Sequence, residues 1–180
     1  MAELGKTPES NTNLLRALAE SDERRRLGRA ERILWVSALC PQTGAIFGPL
    51  DTMTILNEAR ECFIEGHYIA TVLLAMAFVE HTVMDELAES GLGRPGKFSL
   101  ALDAAEKKQL FPDELLCRTR NLSLIRNAFT HRKPSDNPDN FGYRFQARGV
   151  HPARILEQDA KQFLALMYEY FYCTLKELRE

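Results

Sequence analysis

Two side chains that together suit phosphodiester chemistry stand five positions apart in one stretch, Arg126-Asn127-Ala128-Phe129-Thr130-His131. A neutral imidazole can take the proton from a ribose 2′-hydroxyl. A guanidinium offers phosphate a bidentate fork and stabilises the charge that develops on its oxygens. The pair needs no metal, and the product would be a 2′,3′-cyclic phosphate. DNA lacks the attacking hydroxyl and would resist. Arg118, Arg120, Arg132 and Lys133 surround the pair and are candidates to hold an RNA backbone. No acidic residue lies between Glu114 and Asp136. Tyr143, beside Arg144 in the polar stretch that follows, is the candidate to stack a base, with Arg144 assisting. The plainer reading is that His131, Arg132 and Lys133 are cations placed where a helix macrodipole favours them.

The elements must bring the pair together. On an ideal helix five positions turn about 500°, which leaves Arg126 and His131 about 140° apart. They converge only if the helix unwinds near His131 or if a second copy supplies the missing partner. Asn127 and His131 are four apart and share a helical face, so Asn127 is a candidate to orient the imidazole. Pro134 disfavours helix at Lys133, which puts His131 within a turn of the helix end.

Glu80 lies in the most apolar helix and needs a partner, because an unpaired buried carboxylate is costly. Arg126, a backbone cap and a core arginine such as Arg60 are the alternatives, and pairing is favoured over catalysis. His67 and His81 have no second ligand at metal spacing and read as ordinary helix histidines. No metal and no cofactor is expected. Tyr68, Tyr168, Tyr170 and Tyr172 read as core and interface residues. The scattered Cys40, Cys62, Cys117 and Cys173 read as buried free thiols of a reducing cytosol, with disulfides the alternative.

The 180 residues carry a formal net charge of -2, so no global basic field draws the chain to nucleic acid, and any attraction for phosphate must be local. Hydrophobic residues at 45% provide for a sizeable core. The first dozen residues are polar and expected to fray. Helical periodicity then predicts helices over 13–39, 51–65, 68–90, 98–110, 112–132 and 153–178. Ser21-Asp22-Glu23 is a candidate start within the first, and Arg24-Arg25-Arg26 reads as a solvated face rather than an RNA contact. Pro41, Gly44, Gly48 and Pro49 mark a connector. Residues 134–152, with Gly142, Gly149 and three prolines, read as a long polar loop. Tyr68–Val79 is too short an apolar run to span a bilayer and reads as a central buried helix. No signal-peptide core precedes it, so a cytoplasmic protein without membrane attachment is expected. The fold expected is all-α, an up-and-down bundle of four to five helices in residues 51–180, preceded by a partly helical extension in 1–50.

Three stretches resemble the HEPN superfamily of all-α domains found in prokaryotic toxins, defence nucleases and some eukaryotic ribonucleases. Glu58 to Tyr68 is similar to the family's first core helix and the break after it. Leu73 to His81 is similar to its second helix, with an inward glutamate. Arg126-Asn127 through His131 is similar to its Arg-x4–6-His motif. The likeness covers roughly residues 51–180. It implies a homodimer in which two Arg-His pairs line one cleft, and metal-independent endoribonuclease activity in growth arrest or antiviral defence. It also implies an antitoxin or nucleotidyltransferase partner. The tyrosine that such partners modify would fall at Lys133, so that mode of regulation is not expected here. The alternative is a non-catalytic HEPN-like module that dimerises or binds RNA or a nucleotide.

Overall fold

The computed structural model describes residues 8–39 and 49–175, with side chains from residue 11 onward. Cys40, most of the 40–50 connector, the first seven residues and Leu178 lie outside the described residues. The protein is all-α. Seven helices occur among the described residues: α1 (Pro8–Leu39), α2 (Leu50–Glu65), α3 (Tyr68–Glu89), α4 (Phe98–Lys107), α5 (Asp113–Thr130), α6 (Phe141–Arg148) and α7 (Pro152–Thr174). The helix beyond those expected is α6, which occupies the predicted loop.

α3 is the centre. Thr71, Val72, Ala75, Met76, Phe78, Val79, Val83 and Leu87 are buried along it, and it packs against α2, α7, α4 and α5. By length and composition α3 would be able to cross a membrane. Here its apolar face forms the core, with Phe63 of α2 and Phe163, Leu164, Met167 and Tyr170 of α7. α2 reverses into α3 through Gly66, whose φ of 83° is the left-handed conformation that glycine adopts without a Cβ penalty. The His67 N–H returns to the Cys62 carbonyl at 2.7 Å and closes the helix end. α2 begins at Leu50 with Pro49 at the cap position, so Asp51 lies in the first turn rather than at the cap.

α1 is one unbroken helix of 32 residues, so Ser21 does not start it. Of the apolar residues that suggest an inner face for α1, Val36 is buried and Leu39 packs against the core, while Leu14, Leu18, Leu27, Ile33 and Leu34 are exposed, Leu27 and Leu34 at 73% and 72%. Arg32 and Trp35 complete the packed face with Val36 and Leu39. Val36 is buried, Trp35 packs on Phe63 with ring centroids 5.1 Å apart, and Arg32 Nε donates to the Ile64 carbonyl at 2.8 Å. Arg29 pairs with Glu65 at 2.7 Å. The second half of α1 is therefore fastened to the end of α2, while residues 11–20 are exposed on every face.

Of the four tyrosines read as core and interface residues, Tyr168 and Tyr170 are buried and Tyr172 is exposed, and the Tyr170 hydroxyl shares a 2.8 Å hydrogen bond with Thr119 of α5. Burial pushes its phenol up to about 12, although the Thr119 bond pulls the other way. An unfolded tyrosine titrates near about 10. The raised native value makes the protonated phenol a source of stability that is lost as pH rises from about 10 through about 12. Tyr170→Phe is expected to flatten that alkaline fall in denaturant midpoint and to cost about 1 kcal/mol at neutral pH for the lost hydrogen bond. Cys62, Cys117 and Cys173 are free thiols, but Cys117 and Cys173 are exposed, which corrects the expectation that the thiols are buried. Cys117 follows the buried Leu116 on α5, and Cys173 lies two residues past the buried Phe171 on α7.

Candidate functional site

α5 carries the motif and is oriented by Leu115, Leu116, Thr119 and Leu122, which face the core. That orientation turns Arg126 toward α3, where its guanidinium forms an ion pair with Glu80. Of the three partners open to Glu80, the structure has Arg126. The pair is partly screened, with side-chain exposures of 21% and 31%. Burial pulls the Arg126 pKa down, yet a guanidinium keeps its charge at any physiological pH. Its Nε is buried without a hydrogen-bond partner.

The helix ends before His131. The residue is extended, with φ -129° and ψ 128°, and its N–H donates to the Asn127 carbonyl at 2.8 Å. His131 is exposed. Leaving the helix removes the 140° constraint, because the position of the ring no longer follows the helical screw. It also removes the shared face with Asn127: what meets His131 is the Asn127 backbone carbonyl, and no side-chain hydrogen bond joins the two among the described residues. Arg126 and His131 are likewise not bonded to each other within one chain.

The segment after His131 is held in place by α6. Asn140 Oδ1 accepts from the Gly142 and Tyr143 amides at 2.8 and 3.3 Å and caps α6. Asn140 Nδ2 donates to the Lys133 carbonyl at 3.1 Å, which ties the start of α6 to the residues just past His131. Phe141 rests on Phe129 with ring centroids 6.1 Å apart. Gly149, at φ 60°, ends α6. This is why a stretch rich in proline and glycine is not a loop throughout: its asparagine cap and its closing glycine delimit eight helical residues. Asn140→Ala should remove both tie and cap and cost about 1 kcal/mol. Asn140→Asp should keep the amides of Gly142 and Tyr143 protected from hydrogen exchange while losing the donor to Lys133. Equal exchange in the two variants would contradict this division of labour.

The expected RNA contacts separate into two groups. Arg118 pairs with Glu169 at 2.7 Å. Arg120 bridges Asp103 at 3.0 Å and Glu106 at 2.8 Å, and its hydrogen bond to Asp103 raises its pKa. Both arginines are therefore part-neutralised by carboxylates. Arg144 is corrected outright. It is buried, and it forms a two-pronged ion pair with Asp159 of α7, one arm at 2.8 Å, so it has no free surface for RNA. It points inward to Asp159, which lies on the buried face of α7 with Ile155 and Phe163. By contrast, Arg132 is exposed, Lys133 is half-buried, and neither has an ion-pair partner among the described residues. Tyr143 is 41% exposed on α6.

A shallow concavity of about 400 Å³ lies past the end of α5, lined by Ala128, Arg132, Lys133, Pro134, Ser135, Asn140 and Phe141, without His131 among its lining residues. Among the described residues no group of three or more His, Cys, Asp or Glu side chains is placed to hold a metal ion. Sequence reasoning missed Asn140 and Asp159. A signal existed for each: an asparagine before a short amphipathic run, and an acid at the i+4 position of a buried stripe. No family model matches the chain, and no curated protein or solved structure matches it either.

Proposed function

We propose that the protein is a metal-independent endoribonuclease of HEPN type, a homodimer in which His131 and Arg126 from the two copies line one cleft. The observation that carries this reading is the release of His131 from α5 into an exposed, extended position, five residues past an arginine paired with Glu80. His131 takes the proton of a ribose 2′-hydroxyl. The 2′-oxygen forms a bond to phosphorus, and the bond to the 5′-oxygen breaks. The leaving 5′-oxygen collects a proton from the protonated imidazole of the partner's His131. The products are a 2′,3′-cyclic phosphate and a 5′-hydroxyl. The Arg126 fork holds the charge on the non-bridging oxygens, and Arg132 and Lys133 hold the flanking phosphates. The biological setting that fits such an activity is growth arrest or antiviral defence in the cytoplasm, restrained by an antitoxin or nucleotidyltransferase partner.

End-labelled RNA incubated with the protein in excess EDTA tests this. Cleavage with cyclic-phosphate ends is expected, and a substrate with a single 2′-deoxy position should resist at that position alone. Intact RNA, or equal cutting at the deoxy position, would overturn the reading. One observation favours a second reading, a dimerising module that binds RNA without cutting: Arg126 is already committed to Glu80. In that case RNA would be retained intact, with affinity falling steeply as salt rises.

A further inference from the structure

We propose that the outer face of α1 is a docking surface for the α1 of a second copy of this chain, the two helices lying antiparallel about a two-fold axis between Arg24 and Arg25. This contact does not depend on the ribonuclease reading, because α1 lies outside residues 51–180 and carries none of the candidate site residues.

α1 is longer than its support. Its 32 residues span about 48 Å. Arg29, Arg32, Trp35 and Val36 fasten it to the body of the protein. Apart from the half-buried Ser21, residues 11–27 are exposed. A helix in water owes most of its stability to the packing of one face, and this half of α1 gains little from its own chain.

The outer face has a palindromic order. Leu15, Ala19, Glu23, Arg26, Ala30 and Leu34 fall within an arc of about 100° round the helix. That arc is centred about 160° from the packed residues Arg32, Trp35, Val36 and Leu39, so the body of the protein does not obstruct it. All of the outer residues are exposed. From either end they run leucine, alanine, a charge, the opposite charge, alanine, leucine. An antiparallel copy sets Leu15 against Leu34, Ala19 against Ala30 and Glu23 against Arg26, and the two-fold axis repeats each contact. The alanines let the helix axes approach to about 8 Å. The leucines close both ends.

Charge selects the occupant and its direction. Within one chain Glu23 and Arg26 pair at 2.7 Å, with side-chain exposures of 67% and 72%. Two such pairs brought together head to tail form a ring of alternating charge. A parallel copy would set Glu23 on Glu23 and Arg26 on Arg26. The flanking sequence has the same polarity: Glu20 and Asp22 precede the centre, and Arg24, Arg25 and Arg29 follow it. The acidic half of one helix lies along the basic half of the other only in the antiparallel arrangement. A partner of uniform charge would be drawn to one half and repelled by the other.

Sedimentation velocity of the full chain at several concentrations tests this, with Glu23→Arg, Arg26→Glu and an equimolar mixture of the two variants. Both positions are exposed, so the helix content seen by circular dichroism should not change. Each variant alone sets like charges against each other at the centre and should weaken the α1 contact about tenfold or more. The mixture sets a doubly basic centre against a doubly acidic one and should associate within about threefold of the wild type. Misfolding of either variant cannot produce that rescue. Added salt should weaken the wild-type contact. The same assembly size and concentration dependence in the wild type and in each variant alone would overturn the proposal. So would a mixture that associates no better than its components. The copy-to-copy contact of the ribonuclease reading involves Arg126 and His131 and should persist in every sample. Intact RNA in the EDTA assay, with rescue on mixing still observed, would remove that reading and leave the α1 contact standing.

Discussion

His131→Ala lowers the rate of RNA cleavage by about 10²–10⁴-fold, the range expected when a positioned acid–base group is removed. The binding of 2′-O-methyl RNA should change little, because the phosphate contacts are assigned to Arg132 and Lys133. A split between lost turnover and retained affinity identifies chemistry rather than docking. Arg126→Lys should also lower turnover: it keeps the charge opposite Glu80 but loses the planar fork. Single-turnover rates for the wild type and both variants, measured in EDTA, decide the matter. If His131→Ala cleaves within twofold of wild type, the imidazole has no part in the reaction. Expression toxicity gives a second readout in cells, and His131→Ala should relieve it.

Arg144→Ala destabilises the protein by about 3–5 kcal/mol, because it leaves the Asp159 carboxylate buried without its partner. Asp159 is only 1% exposed, and both its oxygens are engaged by the guanidinium. For a chain of this size that corresponds to a fall in melting temperature of about 10 °C. The double variant Arg144→Met with Asp159→Leu should recover most of the loss, since an apolar pair of similar volume avoids the desolvation of two charges. Thermal unfolding followed by circular dichroism measures all three. A single variant that melts with the wild type would mean that Asp159 finds water or another donor. The same loss should loosen α6 and with it the Asn140 tie, so RNA binding in Arg144→Ala is expected to weaken although Arg144 cannot touch RNA.

The helical class and the place of α3 were legible in the sequence because helix periodicity and an unbroken apolar run are local properties of the chain. Val72, Met76, Val79 and Val83 recur at helical spacing, and no packing arrangement leaves all of them outside. The end of α5 was legible for the same reason: Pro134 acts on its neighbours through covalent geometry, and α5 stops at Thr130. The residue types of the candidate site, Arg126, His131, Arg132 and Lys133, were present to be read, as was the need of Glu80 for a partner.

Which residue met which was settled by tertiary contacts, over distances that sequence spacing does not encode. Glu80 had three candidate partners, and only the packing of α5 against α3 selects Arg126. Arg144 and Arg132 are the same side chain in equally polar surroundings. One is buried on Asp159 and the other lines the concavity, because only Arg144 comes within reach of a buried carboxylate. Leu27 and Leu34 of α1 matched an inner face by type and are exposed, while Val36 of the same stripe is buried, and the docking is completed by Trp35 on Phe63 and Arg32 on the end of α2. The 134–152 stretch read as a loop because its prolines and glycines are local signals. Its helix exists because Asn140 caps it and because a bidentate ion pair anchors it to residues far along the chain. Local backbone preference and apolar period determined the helices; burial energy and the pairing of charges, which depend on what lies across the fold, decided the site.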